Sequence, residues 1–129
     1  MSDLCDAVQT AIFNRLTAGV TLAGVYTVVP DAAKPPHVVV RESQSSQIGG
    51  KGSDAERHDV PVAYIVAGTS KRALFLLMQQ GKTALHDQVL TAAGFSLSRA
   101  ELTSSSEFRD AELGYLVGIQ NYTVFAQPV

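Results

Sequence analysis

The sequence predicts an α+β fold: a four- to five-stranded, mainly antiparallel sheet with two helices packed on one face. Three observations carry that expectation. Apolar residues recur at helical spacing twice, once at the N-terminus and once after Ser70. A segment of strict alternation, His58–Ala67, precedes the second helical stretch. The last long segment, Leu113–Phe125, is apolar on both faces, as a central strand requires. With 129 residues, the chain is expected to form a single domain over 1–129.

The elements follow in order. Ser2 and Asp3 suit a helix start, and Asp3 and Asp6 suit its positive end. Leu4, Val8, Ile12 and Leu16 recur every four residues beside Ala7 and Ala11, so a helix is expected over about 3–18, ended near Gly19. Val25–Val29 is β-prone. Pro30, Pro35 and Pro36 bracket a turn, and His37–Glu42 is a short β-branched strand behind them. Residues 43–57 break every pattern. They read as a mobile loop or a splayed hairpin, with Ile48 alone among polar neighbours.

Val60, Val62, Tyr64 and Val66 then form one apolar strand face, interrupted on the other by Pro61, which asks for an edge, a bulge or a strand start. Ser70 caps a second helix. Its stripe runs Leu74, Leu77, Met78, Gly81, Leu85, Val89, and Gly94 is placed for a left-handed C-cap. Phe95–Thr103 is a weaker strand and Ser104–Glu112 an acidic, polar turn. In the final strand Leu113, Tyr115, Val117 and Ile119 share one face, and Leu116, Tyr122 and Val124 the other.

Composition narrows the function. Apolar residues are 46% and charged residues 17%, a globular balance low in charge. Mean hydropathy of +0.11 leaves neutral surface that oligomerisation would cover. The net charge of −2 is spread evenly, with no basic tract for nucleic acid. One cysteine cannot form an internal disulfide, and no stretch looks like a signal peptide or a membrane span, so a soluble intracellular protein is expected.

No motif carries catalysis. Gly81-Lys82-Thr83 echoes a phosphate-binding loop, but position 76 is Leu where that loop needs Gly, and the tripeptide sits inside a helical stripe. Close packing at Gly81 is the simpler account. His37, His58 and His86 show no ligand spacing, so surface histidines and no metal are expected. Cys5, in a first helical turn, has no His or Asn near it in sequence and reads as a half-buried structural cysteine. Ser104–Glu107 resembles a capping box or a turn, and Glu101, Glu107, Asp110 and Glu112 a solvated acidic cluster. No cofactor is expected and no enzyme activity.

The element order resembles a known family. An N-terminal helix leads into VYTVVPDAAKPPHVVV, then a strand ending VAYIVAG, the helix SKRALFLLMQQGKTALHDQVL, a strand, an acidic turn and a final YLVGIQNYTVFA. Over nearly its whole length the chain resembles the tail-terminator, or tail-completion, proteins of long-tailed bacteriophages and gene-transfer particles. Their pattern does not include so long a Gly-rich segment as residues 43–57. The resemblance implies a structural virion protein located in the virion tail and assembled in the host cytoplasm. It implies a homo-oligomeric ring, typically a hexamer, that caps the tail tube and ends its polymerisation. The implied partners are other copies, the tail-tube protein and a head–tail connector or neck protein, with DNA passing through the lumen unread and no membrane. On that reading Gln47, Ile48 and Lys51 would meet a neighbouring ring, and Arg109, Asp110 and Glu112 a neighbouring subunit. A connector or neck protein of the same particle is the alternative, and a small ligand-binding domain a more distant one.

Overall fold

Among the described residues, two helices and seven strands form in the order α1 (Leu4–Gly19), β1 (Gly24–Tyr26), β2 (His37–Val40), β3 (Gln44–Gln47), β4 (Glu56–Ala67), α2 (Lys71–Leu85), β5 (Phe95–Leu97), β6 (Glu101–Asp110) and β7 (Tyr115–Pro128). The structure, a computed structural model, describes residues 4–28, 34–48, 55–68, 70–112 and 114–128. The expected α+β class with two helices holds; the sheet differs in detail. It is mixed, because β1 runs parallel to β2 while the other pairs are antiparallel. Its seven strands stand in five columns. β2 and β3 lie end to end along one side of β4, and β5 and β6 end to end along the far side of β7. Short strands that share a column leave no separate alternating signature in the sequence.

Pro61 shows how that arrangement is tolerated. It sits mid-strand in a central strand, opposite Asn121 of β7, and not at an edge, a bulge or a strand start. Its carbonyl accepts from Arg41 N at 2.9 Å, so its missing N–H points to the same side. That side is the junction between β2 and β3, where no ladder bond is needed.

The two long strands define the layers. His58, Val60, Val62, Tyr64 and Val66 of β4 face the helices, as do Leu116, Gln120, Tyr122, Val124 and Ala126 of β7, and all are buried. Val8, Ile12 and Leu16 of α1 and Leu74, Leu77, Met78 and Leu85 of α2 complete that core. Burying such side chains contributes roughly 1.5–3 kcal/mol each against an exposed reference. The expected faces of the last strand are found, with Tyr115, Val117 and Ile119 turned away from the helices.

The helices also grip each other. Arg15 Nε donates to Ala84 O at 3.1 Å, satisfying a carbonyl in the last turn of α2 where a cation suits the dipole. Ser70 caps α2, accepting from Ala73 N at 3.2 Å.

Two expectations here need correction. α2 stops at Leu85, not near Gly94. His86 is extended (φ −63°, ψ 126°) and Asp87 takes a positive φ of 61°. Asp87 N then donates to Ala100 O, so the chain leaves the helix to bridge the start of β6. Val89, the last residue of the expected stripe, is 53% exposed. Gly94 does have a positive φ (83°), but in the turn before β5. The polar run Ser104–Asp110 is not a turn; it is most of β6, held along β7. Of the two forms expected for residues 43–57, the described part takes the hairpin, with Gln44 pairing Asp59 and Gln47 pairing Glu56.

Candidate interaction surfaces

The helix-free side of the sheet is apolar and only partly open to solvent: Ala63 and Val117 are buried, and Val39, Ile65 and Ile119 half-buried. Val39, Ala63, Ile65, Val117 and Ile119 stand there in register, with Phe108 of β6 beside Val117. One row crosses the whole sheet: Phe108 pairs Val117, Val117 pairs Ile65, and Ile65 pairs His37. At its end the Tyr26 ring meets His37 edge-on, centroids 5.5 Å apart. His37 is buried, and among the described residues its Nδ1 has no hydrogen-bond partner.

β6 is the most exposed of the long strands, with eight of its ten residues open to solvent. Its outer edge is covered only at the start, where Leu102 N donates to His86 Nδ1 at 3.2 Å and Ala100 N to Gln88 O at 3.1 Å. No described strand pairs the outer edge from Ser104 onward. Arg109 and Asp110 close β6, and Glu112 lies exposed in the turn that follows. These three residues share the end of the β6–β7 hairpin, level with the end of β4.

The other three expected contacts divide. Gln47 is exposed on β3. Ile48 is half-buried and lines a cleft with Ala55, Leu97 and Phe125. Lys51 lies outside the described residues.

A second cleft was not foreseen. About 350 Å³ in volume, it is walled by Leu22, Pro35, Pro36, Val66, Ala67, Ala73, Leu76 and Leu77. Its residues come from four separate stretches of chain, so no local pattern marks it. Gln80 of α2 holds one wall in place, accepting from Thr21 N and Leu22 N at 3.0 and 3.2 Å and donating to Thr21 Oγ1 at 2.9 Å. Phe75 and Leu76 extend the apolar surface on α2, 46% and 49% exposed.

The titratable groups are placed differently from expectation. His37 and His58 are buried, not surface residues. Cys5 is exposed and does have a histidine neighbour, its Sγ lying 3.9 Å from His58 Nδ1. Glu56 Oε1 lies 2.9 Å from His58 Nε2 on the other side, without the alignment of a hydrogen bond. Sequence distance hid this row, since α1 and β4 meet only in the fold. Among the described residues no group of His, Cys, Asp and Glu is arranged to hold a metal ion.

Inside, Tyr64 and Tyr122 both donate to Gln120 Oε1 at 2.7 Å, and Gln120 Nε2 donates to Met78 O at 3.3 Å. Burial raises both phenols well above their ordinary range, and the neighbouring Tyr122 raises Tyr64 further. This is a core network, closed to solvent. No described helix is long and apolar enough to cross a membrane.

A family model described as Tail completion protein gp17 matches residues 9–127. Among solved structures, a chain from the virion of a native gene transfer agent particle shares the fold. Its TM-score is 0.88 at 15% identity, covering 98% of this chain and 99% of that one. At that identity the likeness is one of fold. No curated protein matches the chain.

Proposed function

The chain belongs to the tail completion protein gp17 family, and from that membership we propose that it is a structural component of a virion tail that caps the tail tube as a ring. The match over residues 9–127 is the observation that carries this reading. A cap must bind the last tube ring on one face and must not repeat that ring's surface on the other. A closed ring of copies, six on the family reading, ends polymerisation and leaves a platform for the head–tail connector. Such a ring uses heterologous contacts that close by rotation. Its DNA contact is passive, since the duplex only passes through the lumen.

Two features of the fold support it. The solvent-exposed strand β6 and the exposed apolar residues Phe75, Leu76 and Phe108 give one small chain several surfaces suited to protein partners. We assign Arg109, Asp110 and Glu112 to contacts between subunits, and Gln47, Ile48 and Lys51 to contacts with the neighbouring ring. The role is non-enzymatic.

Light scattering after size exclusion tests the proposal, on the protein alone and with purified tail tubes. A ring mass, or a 13.7 kDa monomer that joins tube ends and stops their growth, is expected. A monomer that ignores tubes would move the assignment to a connector or neck protein.

A further inference from the structure

We propose that Phe108 at the hairpin end of one copy seats in the Pro36–Leu76 cleft of a second copy, so that copies associate head to tail. The inference rests on the ring reading and names the contact that would build the ring.

The two surfaces fit in chemistry. Phe108 is 50% exposed on a strand whose neighbours are serines and charged residues, an apolar ring held out on a polar arm. The cleft is apolar along its walls, and its roughly 350 Å³ falls within the size that takes a compact organic group. Leu22 and Leu76, 52% and 49% exposed, are the walls that an inserted ring would cover. Gln80 fixes the Leu22 wall beforehand, so little order is lost on filling it.

Charge selects the same pairing. Residues 107–112 carry Glu107, Asp110 and Glu112 against the single cation Arg109. The cleft is flanked by cations: Lys34 precedes Pro35, and Lys71 and Arg72 precede Ala73. α2 itself holds Lys71, Arg72 and Lys82 and no acidic residue. An acidic knob and a basic socket on one chain favour a second copy as the occupant.

A chain cannot fill its own cleft. β7 and β4 stand between β6 and β2, three strand spacings of about 4.8 Å, or roughly 14 Å of sheet. Height favours closure. Phe108 shares its sheet row with His37, and His37 follows Pro36 directly. Knob and socket therefore lie at one level on opposite sides of the sheet. Rotation about an axis along the strands joins them without a step along that axis, which gives a ring and not a filament.

Cysteine cross-linking in a Cys5→Ser background tests the contact. Ser106→Cys, which shares the face of Phe108 and leaves that ring in place, mixed with Ala73→Cys should yield one disulfide-linked dimer and nothing larger. The double variant should yield a ladder in multiples of 13.7 kDa that ends at the ring mass. Phe108→Ala, at a half-exposed site, should keep its melting temperature and lose the ring. Ala73→Trp, which blocks the cleft, should do the same; if it fails to fold, the cross-links decide. A wild-type ring that survives Phe108→Ala, with no ladder from the double variant, overturns this contact and leaves the ring standing. A wild type that stays monomeric alone and with purified tail tubes overturns the ring reading, and this contact with it.

Discussion

Gly81 was legible as a packing position, and its partner was not. An ideal Cβ there would fall on the Tyr64 hydroxyl, and that hydroxyl is committed to Gln120. Gly81→Ala would ordinarily gain about 1 kcal/mol in a helix interior. Here the methyl must displace Tyr64 from the buried network, an overpacking that costs typically 1–3 kcal/mol. Urea unfolding should show a net loss of stability, and a gain would mean that the Tyr64 ring yields freely. The same network sets a pH limit. Both buried phenols titrate above their ordinary 10.0, so the folded state resists losing protons that the unfolded chain gives up. Their contribution is intact below pH 10 and falls as pH climbs beyond it, by up to about 1.4 kcal/mol per pH unit for each tyrosine. Thermal melts from pH 9 to 11.5 should steepen downward above 10. Tyr122→Phe should flatten the slope, although it starts less stable by one hydrogen bond to Gln120.

At the scale of elements, α1, β4 and β7 could be read from the sequence because each buries one face along its whole length. Leu4, Val8, Ile12 and Leu16 repeat at helical spacing for that reason, and Val60 to Val66 alternate for it. β6 could not be read. It is held by β7 on one side and open to solvent on the other side and on most of both faces, so Ser104–Asp110 carries no apolar alternation to mark it. The end of α2 failed for the opposite reason. Val89 continues the stripe at i+4 from Leu85, but its backbone is captured by Arg99 across an isolated bridge, a contact that no local pattern encodes. The residues proposed for subunit contact were expected together in a turn, and the fold divides them. Arg109 and Asp110 end a strand and only Glu112 belongs to the turn, while Phe108, the apolar residue beside them, was passed over.

For the whole molecule, the even charge along the sequence conceals an uneven surface. Ten basic and twelve acidic residues nearly cancel, yet α2 has only cations and residues 107–112 are mostly acidic. Lys34, Lys71 and Arg72 flank the cleft beside β2, while Glu107, Asp110 and Glu112 lie on and after β6, with β4 and β7 between those two strands, so each copy carries opposite charge at the two surfaces that would meet. Attraction between exposed charges fades as the screening length falls from about 10 Å at 0.1 M salt to about 3 Å at 1 M. Burial of Phe108 does not weaken with salt in that way. Self-association measured by sedimentation equilibrium should therefore weaken as NaCl rises from about 0.05 to 0.5 M, within the screening range. Lys71→Glu with Arg72→Glu should weaken it at low salt and flatten the dependence, because the socket no longer attracts the hairpin. If association instead tightens with salt in both proteins, apolar burial governs the contact and the charges only orient it.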